Sequence, residues 1–266
     1  MTPLSSKRLF LFDIDGTIAV GDTLYPGTRD LLDYIRSVGG AAYYITNNST
    51  RSNGDYVKKF REVFGLETNE NQFVTSGYMT LRHLQKHHSG DKIYVLGTAS
   101  YIAELRKNGL HVTEEAQEDA ACAVVAYDSE LTYEKLVKAC RLLSLTDIPF
   151  YGTNPDLCCP IDFGFIPDCG SICQMITAST GKAPRYLGKP NPQVVALCQA
   201  DSGYTAEQTL VVGDRLYTDI ACGLNAGVDT CVLYTGEATP EEVARTQYKP
   251  AYAFADVQKL LEACRG

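Results

Sequence analysis

The sequence predicts a doubly wound α/β fold built on a parallel sheet, interrupted by a second α/β domain. Three observations carry this. Short, wholly apolar runs recur: Leu9-Phe10-Leu11-Phe12, Ala41-Ala42-Tyr43-Tyr44-Ile45 and Leu210-Val211-Val212. Such runs are the mark of parallel strands covered on both faces. Amphipathic helical segments separate them, which is the alternation of βα units. The chain has 266 residues, long for one core and enough for two modest domains.

Taken in order, the first strand ends in Asp13-Ile14-Asp15-Gly16-Thr17. A turn at Tyr25-Pro26-Gly27 leads to a helix that Thr28 is placed to cap, with Leu31, Leu32, Ile35 and Val38 on one face. Gly39-Gly40 stops it. The second strand delivers Thr46-Asn47-Asn48-Ser49, and Ser52 to Phe64 reads as a helix with Tyr56, Val57, Phe60 and Phe64 aligned. Phe73-Val74-Thr75 is a third core strand, followed by a helix through Leu81 and Leu84.

A separate alternation then begins. Lys92–Leu96 is a strand, Ala99–Lys107 a helix, Ala121–Tyr127 a strand, Tyr133–Leu143 a helix, Phe150-Tyr151 a strand and Ser171–Ser179 a helix. This block, about 100 residues, is large enough for its own core. It divides the chain into a discontinuous core domain, 1–79 and 184–266, and an inserted domain, 80–183. The first architecture resumes with a helix through Val194, Val195 and Leu197. Strand Thr209–Val212 ends in Gly213-Asp214-Arg215, and Asp219-Ile220 open a helix before Gly227. Thr230–Tyr234, a short helix Pro240–Arg245, an edge strand Ala251–Phe254 and a helix capped by Asp256 complete it.

A content of 45% hydrophobic and 21% charged residues describes an ordinary soluble globule. The net charge of −8 argues against a nucleic-acid partner, whose phosphates need clustered Lys and Arg. No apolar run approaches the roughly 18 residues of a membrane span, and the polar N-terminus lacks a signal-peptide pattern. A cytoplasmic protein with reduced thiols is expected from its ten cysteines. Cys158, Cys159, Cys169 and Cys173 crowd together, but without paired C-x-x-C knuckles or a nearby histidine they read as packing thiols rather than zinc ligands.

In open α/β sheets ligands gather at the carboxyl ends of strands. Taken alone, Asp13 and Asp15 are also consistent with a solvated strand end. The other strand ends alter that balance, because they offer Thr46, Asn47 and Asp214, and a loop adds Lys189. Several carboxylates against one lysine cannot all stay ionised without compensation. Mg2+, which takes one or two carboxylates, waters and a phosphate oxygen, supplies it. The set describes a site for a phosphoryl group.

Asp13-Ile14-Asp15-Gly16-Thr17, Thr46-Asn47-Asn48, Lys189-Pro190 and Gly213-Asp214-Arg215-Leu216-Tyr217-Thr218-Asp219 resemble the four ordered motifs of the haloacid dehalogenase superfamily. The inserted block between the second and third motifs is similar to a type II cap on a Rossmann-like core. Thr46 to Arg51, Thr153-Asn154-Pro155-Asp156, Gly170-Ser171 and Leu187 to Pro190 resemble the NagD-like, or p-nitrophenyl phosphatase-like, branch.

The resemblance implies a Mg2+-dependent phosphatase. Asp13 would be the nucleophile that forms an aspartyl-phosphate, and Asp15 the acid and base. Asp13, the Asp15 main-chain carbonyl and Asp214 would hold Mg2+. Thr46, the Asn47 N–H and Lys189 would bind the substrate phosphate, with Asp219 orienting Lys189 or a metal-bound water. Alone, Lys189 reads as a surface lysine, Asp219 as a helix cap and Asn48 as a turn residue. In register with the other motifs, Lys189 and Asp219 read as site residues, while Asn48 stays open between a supporting and a turn role. Asn154 and Asp156 would form the substrate loop of a cap that closes over the site, and Cys158-Cys159-Pro160-Ile161-Asp162-Phe163 is a further candidate for specificity.

The implied partner is a small phosphorylated metabolite such as a sugar phosphate or nucleoside monophosphate. A homodimer formed through the cap is compatible with the resemblance. Rival readings remain: a phosphomutase or phosphotransferase on the same scaffold, and a non-catalytic phosphate-ligand binding protein. A nucleotide-sugar glycosyltransferase leaves Lys189 and Asp214 without a role.

Overall fold

The structure, a computed structural model, describes residues 2–49, 51–161 and 163–266, with the side chains of Pro160 and Ile161 left aside. Thr50 and Asp162, both within motifs noted above, lie outside the described residues. The chain forms two compact units: Met1–Thr46, Asn53–Val74 and Lys189–Gly266 in one, Asn47–Ser52 and Thr75–Gly188 in the other.

The chain enters the first unit through β1 (Leu9–Phe12), a small hairpin of β2 (Ala19–Val20) and β3 (Thr23–Leu24), α1 (Thr28–Ser37), β4 (Ala41–Thr46), α2 (Asn53–Glu62) and β5 (Phe73–Thr75). The second unit holds α3 (Ser76–His87), β6 (Lys92–Leu96), α4 (Ala99–Lys107), β7 (His111–Thr113), β8 (Cys122–Val125) and α5 (Tyr133–Leu145). It continues with β9 (Phe150–Gly152), the hairpin β10 (Cys158–Ile161) and β11 (Gly164–Pro167), α6 (Cys169–Thr180) and β12 (Arg185–Tyr186). The first unit is completed by α7 (Gln193–Ser202), β13 (Thr209–Gly213), a π-helical turn (Leu216–Ile220), α8 (Ala221–Asn225), β14 (Asp229–Leu233), α9 (Pro240–Arg245), β15 (Tyr252–Phe254) and α10 (Val257–Arg265).

The first unit's sheet has the order β15-β14-β13-β1-β4-β5. β1 pairs in parallel with β13 and β4, Phe12 lying opposite Val212 and Tyr44. Three chain-distant strands therefore end side by side, which is what places a site there. All four residues of β1 are fully buried. Phe10 and Phe12 face a core of α1, α2, β5 and α10 side chains that includes Leu31, Phe60, Phe73 and Leu261. Leu9 and Leu11 point to the opposite face, as the two-residue period of a strand requires.

The second unit's sheet, β12-β9-β8-β6-β7, is also parallel in its pairings. Alternate residues again split between two faces. Ile93, Val95 and Val124 pack on one side, Tyr94, Leu96 and Val125 on the other. It is a true two-faced α/β sheet with its own core.

Local differences from the sequence reading have simple causes. Gly27, at φ +85°, is the residue before α1, and Thr28 lies inside the helix with its hydroxyl bonded to the Ile18 carbonyl. The hairpin β2–β3 was invisible because two-residue strands leave no periodicity. Asp219 opens no ordinary helix; it sits in the π-helical turn ahead of α8. All ten cysteines are free thiols, and Cys169 and Cys173, one turn apart on α6, bring their sulfurs to 3.9 Å.

Candidate active site

β1 gives out at Asp13, whose N–H still donates to the Val212 carbonyl at 2.9 Å. That last ladder bond pins the Asp13 backbone at the sheet's end. The chain then turns sharply: the Gly16 N–H donates to Ala19, and the Ile18 and Ala19 amides both donate to Ile14. Gly16 adopts φ +90°, and a Cβ there would come within 2.6 Å of Asp214 Oδ2. Only glycine satisfies both constraints. Asp15, half-buried, opens this turn.

Lys189 is 3% exposed, so it is no surface lysine. Its ammonium donates to Asp13 Oδ1 at 2.5 Å, Asp219 Oδ1 at 2.6 Å and the Ile45 carbonyl at 3.0 Å. Asp219 is fully buried, and its other oxygen accepts the Arg215 N–H at 3.1 Å. It thus pairs with the Lys189 ammonium and does not cap a helix. Close approach of Asp219 to the strand end is possible because residue 213 is glycine; a Cβ there would collide with the Asp219 side chain. Asp214, 2% exposed, accepts from the Thr17 hydroxyl at 3.0 Å and the Glu237 N–H at 2.9 Å, one donor on each oxygen. Thr46 ends β4, buried.

The electrostatics follow from burying these groups together. Burial lifts the Asp13 carboxyl well above its usual range; Lys189 pulls it back, and the charges of Asp219 and Asp214 push it up again. Asp214 is raised to about 6 by burial and then by Asp219, against the Glu237 amide, Arg215 and Thr17. Burial alone would lower the Lys189 ammonium, but Asp13 and Asp219 reverse this and hold it above the usual range.

Asp13, Asp214 and Asp219 each bring an oxygen within 4.8 Å of the others. Three buried carboxylates around one ammonium leave negative charge uncompensated. The donors are hard oxygens, the kind a small divalent cation selects. The residues present fit Mg2+. Asp13 and Asp214 of the expected ligand set are brought together, and Asp219 is the third converging carboxylate. The Asp15 side chain is not part of that trio; its expected contribution was its main-chain carbonyl.

The second unit contains Asn47, Asn48, Asn154 and Asp156. Asn154, fully buried, donates from Nδ2 to the Asn47 carbonyl at 2.8 Å, and its Oδ1 accepts the Asp156 N–H at 3.0 Å. Asn47 Nδ2 donates to Asp156 Oδ1 at 3.2 Å, and Ser76 Oγ donates to the Asn47 carbonyl at 2.6 Å. Thus Asn154 and Asp156, expected to face a substrate, brace Asn47. A Cβ at Gly188 would press within 2.6 Å of Asn47 Oδ1, which explains the glycine ahead of Lys189.

Sequence reasoning missed Thr17 as a partner of Asp214, although it stands inside the first motif. The Glu237 N–H, the second donor to Asp214, comes from a loop whose residue types give no signal.

Known proteins resemble this chain along nearly its whole length. Residues 10–111 match the family model described as haloacid dehalogenase-like hydrolase, and 186–260 a HAD-hydrolase-like model. The acid sugar phosphatase of Staphylococcus aureus is 32% identical over 97% of this chain and 98% of its own length. A 4-nitrophenylphosphatase from Thermotoga maritima superposes with a TM-score of 0.91 at 37% identity, covering 98% of both chains. A glycerol phosphate phosphatase from Mycobacterium tuberculosis, solved in complex with magnesium, superposes with a TM-score of 0.89 at 25% identity, covering 98% of this chain and 78% of that one.

Proposed function

Because the chain belongs to the haloacid dehalogenase-like hydrolases, in their NagD-like, p-nitrophenyl phosphatase-like branch, we propose that it hydrolyses a small phosphomonoester with Mg2+ as cofactor. The intermediate is an aspartyl-phosphate on Asp13. The observation that carries this reading is the buried chain Asp13–Lys189–Asp219 with Asp214 beside it. The similar proteins support it, their names covering sugar phosphate, glycerol phosphate and nitrophenyl phosphate as phosphatase substrates.

Asp13, Asp214 and the Asp15 carbonyl would hold Mg2+. When bound, Mg2+ supplies the positive charge that lets an anionic nucleophile approach an anionic phosphate. An Asp13 oxygen forms the bond to phosphorus as the bond to the leaving alkoxide breaks, and Asp15 gives that alkoxide its proton. In the second half, Asp15 takes a proton from water as the water oxygen attacks phosphorus. Inorganic phosphate departs and Asp13 is regenerated. Lys189 aligns Asp13 and offsets charge on the transferring group, and Asp219 keeps Lys189 in place. The Thr46 hydroxyl and the Asn47 N–H, which follow one another at the end of β4, bind phosphate oxygens. Asn154 holds the Asn47 carbonyl and Asp156 the Asn47 side-chain amide, bracing the residue that carries that N–H, and substrate choice falls to the inserted unit.

A panel of sugar phosphates, glycerol phosphate, nucleoside monophosphates and p-nitrophenyl phosphate, assayed with and without Mg2+, tests the reading. Wild type should turn over at least one ester with Mg2+ and none after chelation. Asp13→Asn should lose activity by a factor on the order of 10^4. Undiminished hydrolysis by that variant, or no hydrolysis of any ester by wild type, contradicts it.

A further inference from the structure

We propose that the segment Thr235–Glu237, which follows β14, is a positioning element of the acidic site, with the Thr235 hydroxyl fixing the Asp15–Gly16 turn and the Glu237 amide fixing Asp214. This rests on the reading of Asp13, Asp15 and Asp214 as the Mg2+ site.

The segment reaches both halves of the site. Thr235 Oγ1 donates to the Gly16 carbonyl at 2.6 Å, and the Tyr25 hydroxyl donates to the Thr235 carbonyl at 2.9 Å. Two residues on, the Glu237 N–H donates to Asp214 Oδ2, and the Ala238 N–H donates to the Asp214 carbonyl at 2.9 Å. The Glu237 carboxylate pairs with Arg215 Nε at 3.1 Å. Between them, a Cβ at Gly236 would collide with the Asp214 carboxylate.

Thr235 acts on the Asp15 carbonyl through the peptide planes that flank Gly16, and Glu237 acts on the Asp214 carboxylate directly. The Asp15 carbonyl belongs to the same peptide plane as the Gly16 N–H, which is held by Ala19. With the Gly16 carbonyl held by Thr235, both peptide planes flanking Gly16 are fixed, and the Asp15 carbonyl has one direction. Asp214 is fixed at both oxygens: Thr17 holds one and Glu237 the other. Each oxygen keeps a lone pair for a cation. Partners of this kind, which orient ligands without touching the metal, are worth about 10–100-fold in metal affinity.

The test is isothermal titration of Mg2+ into metal-free Thr235→Val, Thr235→Ser and wild type, with KM and kcat measured on whichever phosphomonoester wild type hydrolyses. Thr235→Val keeps the shape and removes the hydroxyl; Thr235→Ser keeps the hydroxyl. Thr235→Val should raise the Mg2+ Kd about tenfold and lower kcat, with KM at saturating Mg2+ little changed. Thr235→Ser, which keeps the hydroxyl, should bind Mg2+ with close to wild-type affinity. Gly236→Ala, at an exposed position, is a second variant should Thr235→Val not fold. Its methyl group displaces the Asp214 carboxylate and should also raise the Kd. Wild-type Mg2+ affinity in Thr235→Val or in Gly236→Ala, or equal losses in the Val and Ser variants, overturns the inference while leaving the functional reading standing. A wild-type enzyme that binds no Mg2+ overturns both.

Discussion

Lys189 joins two carboxylates, Asp13 and Asp219, that would repel each other without it. An ammonium buried to this extent is tolerable only because its charge is matched and its hydrogens are taken up by oxygen. The same principle, failing, explains His83 on α3. Its ring lies 4.6 Å from that of His87 and 4.8 Å from Tyr151, and its Nε2 finds no hydrogen-bond partner among the described residues. Burial, followed by the charges of His87, Arg185, His88 and Lys86, pushes its pKa down from 6.5 to about 4. Between those values the unfolded chain binds the proton and the folded chain does not, so stability falls as pH drops from 6.5 through 4. His83→Phe should therefore lose less thermal midpoint than wild type between pH 7 and about pH 5. Equal losses in both proteins would contradict this account of His83.

At the level of elements, β1 and β4 carry the site's residues at their ends and are packed into an aromatic core. Tyr44 on β4 contacts Phe60 and Phe73 at ring distances of 4.5 and 5.1 Å, and Phe60 also meets Phe64 and Phe73 edge-on. Phe60 is fully buried, so Phe60→Ala should cost about 3–5 kcal/mol of stability, read from urea unfolding. A loss below about 1 kcal/mol would mean that the cluster collapses to fill the space. These elements were legible because an apolar run broken by Asp, Thr or Asn is a strong local signal, as in Leu9 to Asp13. Gly27, the β2–β3 hairpin and the π-helical turn were not, since one residue's φ or a two-residue strand leaves no pattern. Asn154 and Asp156 were legible as a motif but not as braces of Asn47, because that contact joins residues more than 100 positions apart.

Over the whole molecule, the chain leaves the first unit and returns at Lys189, so that Asp13, Lys189 and Asp214 meet from distant stretches of sequence. Parallel pairing of β1 with β13 sets Asp13 and Asp214 side by side, and the Lys189 ammonium reaches Asp13 from its loop. The sequence order of the motifs was therefore enough to bring Asp13, Lys189 and Asp214 together. It was not enough for Thr235–Glu237, whose contribution is two hydrogen bonds that no residue type announces. None of the described helices is long and apolar enough to cross a membrane. In the proposed mechanism Asp13 bonds covalently to phosphorus during turnover. That bond is tested most directly by quenching the working enzyme in acid, reducing any acyl phosphate with borohydride, and mapping the modified residue by mass spectrometry. Homoserine at position 13, dependent on substrate and on Mg2+, is the expected result. Full hydrolytic activity with position 13 unmodified, or with the label on another residue, would contradict that mechanism.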